Sequence, residues 1–160
     1  MGAESRIREL GLVLPVAAQL PPGMVLPFSW IRVRERRVLV SGHGPLAEDG
    51  SPSGPFGAVP AEVSLDEARE SARLTALAVC AGIRRAVGDL DRIGAWLTVS
   101  GFVNAVPGYP QTTAVLNGFS ETILDIFGPD IGDHARTAIG ASALPLNLPV
   151  IVAAELELRN

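Results

Sequence analysis

Arg136 stands in "HARTAIGASALPLNLPV" (134–150), at the head of eight small or apolar residues, Thr137 to Leu144. A guanidinium stays charged under ordinary conditions, so out of water it needs a carboxylate, a phosphate or several neutral oxygens. No acidic side chain lies within this strand-like run, and the nearest in sequence is Asp133. Two readings stay open. Arg136 is either a strand start with its stem packed and its head in water, contributing little to folding, or a planar fork that grips a carboxylate bidentately.

Other chemistry is narrowed by residue type. All 13 basic side chains are arginine, which removes lysine Schiff bases, the P-loop lysine and pyridoxal attachment. The single cysteine, Cys80, excludes an internal disulfide or a cysteine zinc cluster, and its neighbours Ala78, Val79 and Ala81 make it a small core residue. His43 and His134 are too few for a three-histidine metal site and sit in no HExxH spacing. No G-x-S-x-G elbow occurs, and Gly42, Gly44 and Gly50 do not lead from a strand straight into a helix, as a dinucleotide fingerprint would. Neither metal nor cofactor is expected.

The elements that must position Arg136 can be read from periodicity and punctuation. With 160 residues, 48% of them hydrophobic, the chain can bury one compact core, and we expect a single domain over 1–160: an arm (1–27) and a core (28–158). The arm holds a short helix from about Glu4 to Leu10 and a proline-punctuated connector. "FSWIRVR" and "RVLVSG" predict a hairpin from Phe28 to Ser41, and Gly44–Val63, dense in Gly and Pro, predicts a surface loop. "SLDE" at Ser64 is a capping box opening a helix that ends at Gly88. A third strand of about nine residues within 92–106, a helix capped by Thr112 or Thr113, and strands at 136–143 and 150–158 complete the order β-β-α-β-α-β-β. That is an α+β layer with two helices on one face of a sheet.

The net charge is −4, from 17 acidic and 13 basic groups, so the field of the chain does not concentrate a polyanion and nucleic acid is not an expected partner. The N-terminus lacks an apolar signal core and no apolar run has the length of a membrane span, so no membrane partner and a cytoplasmic location are expected.

Three stretches, "VLVSGHGPL", "LNGFSETILDIFG" and above all "ARTAIGASALPLNLPVIVAAELEL", resemble the Rid, or reactive-intermediate deaminase, proteins, also called the YjgF type and labelled endoribonuclease L-PSP. The resemblance spans about Phe28 to Leu158. It implies a chorismate-mutase-like fold, a homotrimer with ligand pockets between subunits, and hydrolysis of amino-acid-derived imines or enamines to 2-oxo acids. It also implies site residues: Arg136 on the substrate carboxylate, Phe28 where a tyrosine is common over the ligand, Ser41 as the pocket serine, and Asn117. The carbonyl of Ala138 would receive the attacking water.

Departures from the pattern matter. Phe28 lacks a phenolic hydroxyl, and the glutamate that orients water on the last strand is replaced by Ala153. Glu155 shares the face of Ala153 but sits about 6 to 7 Å along the strand. His43 and His134 flank the two key motifs, each as a packed structural residue or a group titrating near neutral pH. The expected function is therefore a hydrolase of small carboxylate-bearing imines, with Arg136 and Glu155 at the reaction. The alternative is a trimeric 2-oxo acid binding protein that kept the clamp and lost the water-positioning glutamate. A ribonuclease, the older label of the family, fits poorly with an acidic chain lacking lysine and any basic tract.

Overall fold

The computed structural model describes Met1–Asn160. Its elements run α1 (Ala3–Glu9), β1 (Ile31–Arg34), β2 (Arg37–His43), α2 (Leu65–Val87), β3 (Ile93–Asn104), α3 (Thr112–Gly132), β4 (Ala135–Ala141) and β5 (Val150–Leu158). The five strands form one sheet in the order β1-β2-β5-β3-β4. Neighbours are antiparallel except β3 and β4, which are parallel because α3 carries the chain back between them.

The α2 capping box forms as its spacing requires: the Glu67 backbone N–H donates to Ser64 Oγ at 3.1 Å and the Ser64 N–H to the Glu67 carboxylate at 2.8 Å. Gly88 ends the helix at φ 90°, a conformation that suits a residue without Cβ. α2 and α3 pack together on one face of the sheet, touching backbone to backbone at Gly118, where an added Cβ would lie 2.2 Å from the Arg69 carbonyl oxygen. Between the layers sit Val38, Val40, Val79, Ile83, Val99, Val103, Leu116, Phe119, Ile123, Val152 and Leu156. The opposite face carries no helix, and strand alternation presents Leu39, Phe102, Ile139 and Ile151 there.

Several boundaries differ from the sequence reading. Residues Phe28–Trp30 precede β1 instead of opening it: the β1–β2 ladder ends at Ile31 opposite Val40, with one further backbone bond from the Ser41 N–H to the Trp30 carbonyl at 3.0 Å. β3 runs twelve residues, longer than expected. Neither Thr112 nor Thr113 caps α3; Gln111 holds the cap position without a side-chain bond, since the Thr112 hydroxyl is drawn across to the Ala138 carbonyl at 3.0 Å. Gly128, non-helical at φ 76° and ψ 169° before Pro129, ends the regular part of α3, and one further short turn follows to Gly132. The arm packs down through Ala3 and Ile7, and the Gly44–Val63 loop touches the sheet at Val59, which bridges to Ala105. No helix is long and apolar enough to cross a membrane.

Candidate functional site

Arg136 lies on the edge strand β4, opposite Val99 of β3, with its side chain on the helix-bearing side of the sheet. Thr113, Asn117 and Ser120 follow one another at helical spacing along α3, so one face of that helix meets the guanidinium. Nη1 donates to Ser120 Oγ at 2.9 Å; Nη2 donates to Asn117 Oδ1 at 3.0 Å and, weakly, to the Thr113 carbonyl at 3.4 Å. The head of Arg136 is thus tied to protein oxygens and not left wholly in water, as the first of the two readings had it. Its partners come from a helix sixteen to twenty-three residues away, where strand composition gives no hint of them.

All three acceptors are neutral. No carboxylate lies within ion-pair distance of Arg136, whereas Arg36, Arg37, Arg69, Arg73 and Arg84 each have one. Partial burial lowers the pKa of Arg136 from its ordinary value, yet a guanidinium remains charged. Three of its N–H groups are engaged, the one to Thr113 only weakly; the Nε–H and one Nη1–H are unengaged, so a two-point grip on an anion gives up no more than that weak Nη2 bond.

Ser120 extends the network. His134 Nδ1 lies 2.6 Å from the Gly132 carbonyl, which can only accept, so that nitrogen carries the proton. Nε2, 2.9 Å from Ser120 Oγ, then accepts the serine proton in the neutral ring, while the same Oγ accepts from Arg136. Gly132, His134, Ser120, Arg136 and Asn117 form a continuous chain with every proton assigned a direction. His134 also lies against Trp96, ring centroids 6.3 Å apart. The carbonyl of Ala138, further along β4, already accepts from Thr112 and keeps one lone pair.

The remaining expected residues gather elsewhere. Ser41 donates to the Ser29 carbonyl at 2.7 Å. Phe28 is 52% exposed and meets Trp30 edge to face at 5.7 Å. On the helix-free face a shallow concavity of about 420 Å³ brings Ser41 together with Arg32, Thr98, Ser100, Ala153 and Glu155. Glu155 is held there by Arg37, whose Nε and Nη2 reach its carboxylate at 2.8 and 2.6 Å. Within one chain, Arg136, Asn117 and Ala138 form one group, and Ser41, Ala153 and Glu155 another, while Phe28 stands against Trp30. Three inter-strand steps separate β2 from β4, roughly 14 Å at the usual spacing.

The whole chain has counterparts among known proteins. Protein TCP17 of Trypanosoma cruzi is 34% identical over 157 residues, which cover 98% of this chain and 94% of that one. The chain belongs to the Rid, or YjgF, family. Three solved structures extend the likeness. Atu1372 of Agrobacterium tumefaciens, described as of unknown function, is 33% identical with a TM-score of 0.83 over 98% of this chain and 92% of that one. A putative endoribonuclease of Shewanella oneidensis is 26% identical with a TM-score of 0.89 over 99% and 100%. The YjgF gene product of E. coli shares the fold at 18% identity and a TM-score of 0.61, over 91% of this chain and 98% of that one. No protein-family model matches the chain. This Rid chain carries the Ala-Arg-Thr and Ser-Gly stretches at Ala135–Thr137 and Ser41–Gly42, with Phe28 and Ala153 at the two positions where its sequence departs from the expected pattern.

Proposed function

We propose that this Rid protein is a cytoplasmic hydrolase of small carboxylate-bearing imines or enamines, working in pockets completed between the subunits of a homotrimer. The observation that carries the reading is Arg136: a preoriented cation on an edge strand, held by neutral oxygens and uncompensated by any acid. Such a fork binds a carboxylate without first breaking an ion pair. Water attack on an activated C=N then needs orientation and modest acid–base help, not a strong nucleophile. The free lone pair of the Ala138 carbonyl supplies one acceptor for that water.

A small acid cannot span the roughly 14 Å between β4 and β2 in one chain. Joining the β4 edge of one copy to the β2 side of the next brings Arg136 to Ser41 and Phe28, a head-to-tail contact that closes into a ring. The same step covers the helix-free face, where Ile139 alone is 48% exposed.

A second reading, binding without turnover, is favoured by Ala153 and by the engagement of Glu155 with Arg37. Imines generated in the assay by an amino-acid oxidase separate the two. The hydrolase reading expects faster imine loss with enzyme than without, reduced in Glu155→Ala; saturable 2-oxo acid binding with no acceleration would leave only the binding reading.

A further inference from the structure

A separate cavity of about 340 Å³ lies on the helix side of β2, behind Ser41, between the N-terminal arm and the second half of α2. This is within the size range of small-ligand pockets. Its walls are apolar: Ala17 and Ala18 of the arm, Ile31, Ala78, and the ring of Trp30. The arm wall is pinned, since Val16 N–H donates to the Glu48 carbonyl and Gln19 N–H to the Gly50 carbonyl, each at 3.0 Å.

Two polar groups reach this space. His43 is 7% exposed, and its Nδ1 donates to the Ser41 carbonyl at 2.5 Å, so the neutral ring presents a lone pair at Nε2. Nε2 has no protein partner and points at Gly82, where an added Cβ would stand 3.3 Å away. Glycine inside a 23-residue helix is a local cost to that helix, and here it keeps the nitrogen open to the cavity. Arg85, nearly one turn on, lines the same space with no carboxylate partner and a single long bond, 3.4 Å to the Pro15 carbonyl. Burial, and secondarily the charge of Arg85, hold the His43 pKa below its ordinary value, so the ring stays neutral at physiological pH. The adjoining groove under the arm differs: its cation, Arg73, is already paired with Glu70.

We propose that this cavity binds a small aromatic carboxylate bearing one O–H or N–H donor, with the carboxylate on Arg85, the donor on His43 Nε2 and the ring between Trp30 and the alanine walls. An uncompensated cation calls for an anion. A buried lone pair calls for a donor. Apolar walls against an indole call for a flat body. The site shares no residue with the proposed imine site and stands whether or not that reading does.

The chain has two tryptophans, so the test is direct: titrate the full-length protein with 4-hydroxyphenylacetate and follow the two indole N–H resonances by NMR, assigned with Trp30→Phe. The Trp30 signal should shift saturably while that of Trp96, buried in the core, stays still. Phenylacetate, lacking the donor, should bind about fivefold more weakly, and Gly82→Ala, which covers Nε2, should erase that difference. Arg85→Met should weaken binding about tenfold or more, and Arg136→Ala should leave it unchanged. Absence of a saturable Trp30 shift, full affinity in Arg85→Met, equal affinity for the two acids in the unaltered protein, or loss of binding in Arg136→Ala would each overturn the assignment.

Discussion

Replacing Arg136 by alanine removes two kinds of interaction that can be measured apart. Folding loses two short hydrogen bonds, at 2.9 and 3.0 Å, and a weak third at 3.4 Å. Each good bond is worth about 1 kcal/mol net. The guanidinium is half-buried, and water can rehydrate Ser120 and Asn117, so we expect a total loss of about 1 kcal/mol, or about 2–4 °C in Tm for a chain of this length. Ligand binding loses more, because no other uncompensated cation stands beside it: about 2 to 4 kcal/mol for a bidentate charge pair in a partly dry interface. That is about 30-fold to almost 1000-fold in Kd for a 2-oxo acid. Arg136→Lys should recover only part, since an ammonium cannot reach Ser120, Asn117 and the ligand with one fork. Calorimetric titration with pyruvate, set beside thermal melts of the same samples, checks both halves. Unchanged pyruvate affinity in Arg136→Ala would refute the clamp, and a Tm drop far beyond this range would mean that Arg136 is chiefly structural.

Ser120→Ala breaks the link between His134 and Arg136 and should weaken 2-oxo acid binding about fivefold; equal Kd values for Ser120→Ala and the unaltered protein, by the same calorimetry, would count against Ser120 as a positioning residue. His43 has a folded-state pKa below its ordinary 6.5, chiefly through burial, so its contribution is fully present above that value and declines as pH falls toward the lowered pKa. Urea midpoints at about pH 7.5 and about pH 5 should therefore diverge less in His43→Phe than in the unaltered protein, and equal divergence would contradict the assignment. Gly118→Ala drives a Cβ toward the Arg69 carbonyl oxygen and should cost about 1 to 3 kcal/mol in chemical denaturation; no loss would mean that the two helices separate easily there.

Much of this was legible in the residues because it is local. Ser64 and Glu67 specify a helix start by spacing alone, the two β-branched runs around Glu35 specify a hairpin, and a guanidinium in an apolar strand announces a problem that something must solve. What solves it was not legible. Ser120 meets Arg136 only because α3 and β4 settle into one particular register, and nothing in "NGFSE" singles the serine out beyond its lying three residues after Asn117. Thr112 looked like a cap by type, and the Ala138 carbonyl outcompeted the helix end for its hydroxyl. The separation of Ser41 from Arg136 depends on strand order, which local pattern does not set: β5, last in sequence, inserts between β2 and β3. Glu155 shares a face with Ala153, as alternation requires, but its engagement by Arg37 follows from the β2–β5 register.

The central claim is that Arg136 and Ser41 serve the same pocket from different copies of the chain, and subunit mixing tests it most directly. Arg136→Ala and Ser41→Trp, the second chosen to block the β2 side, should each bind pyruvate poorly alone. Unfolded together in equal amounts, refolded, and confirmed as mixed assemblies by native mass spectrometry, they should regain about a quarter of the unaltered number of sites, since an intact β4 edge then meets an intact β2 side at random. Mixed assemblies that form and regain no sites would contradict the account, and so would a chain that stays monomeric while binding pyruvate at full affinity.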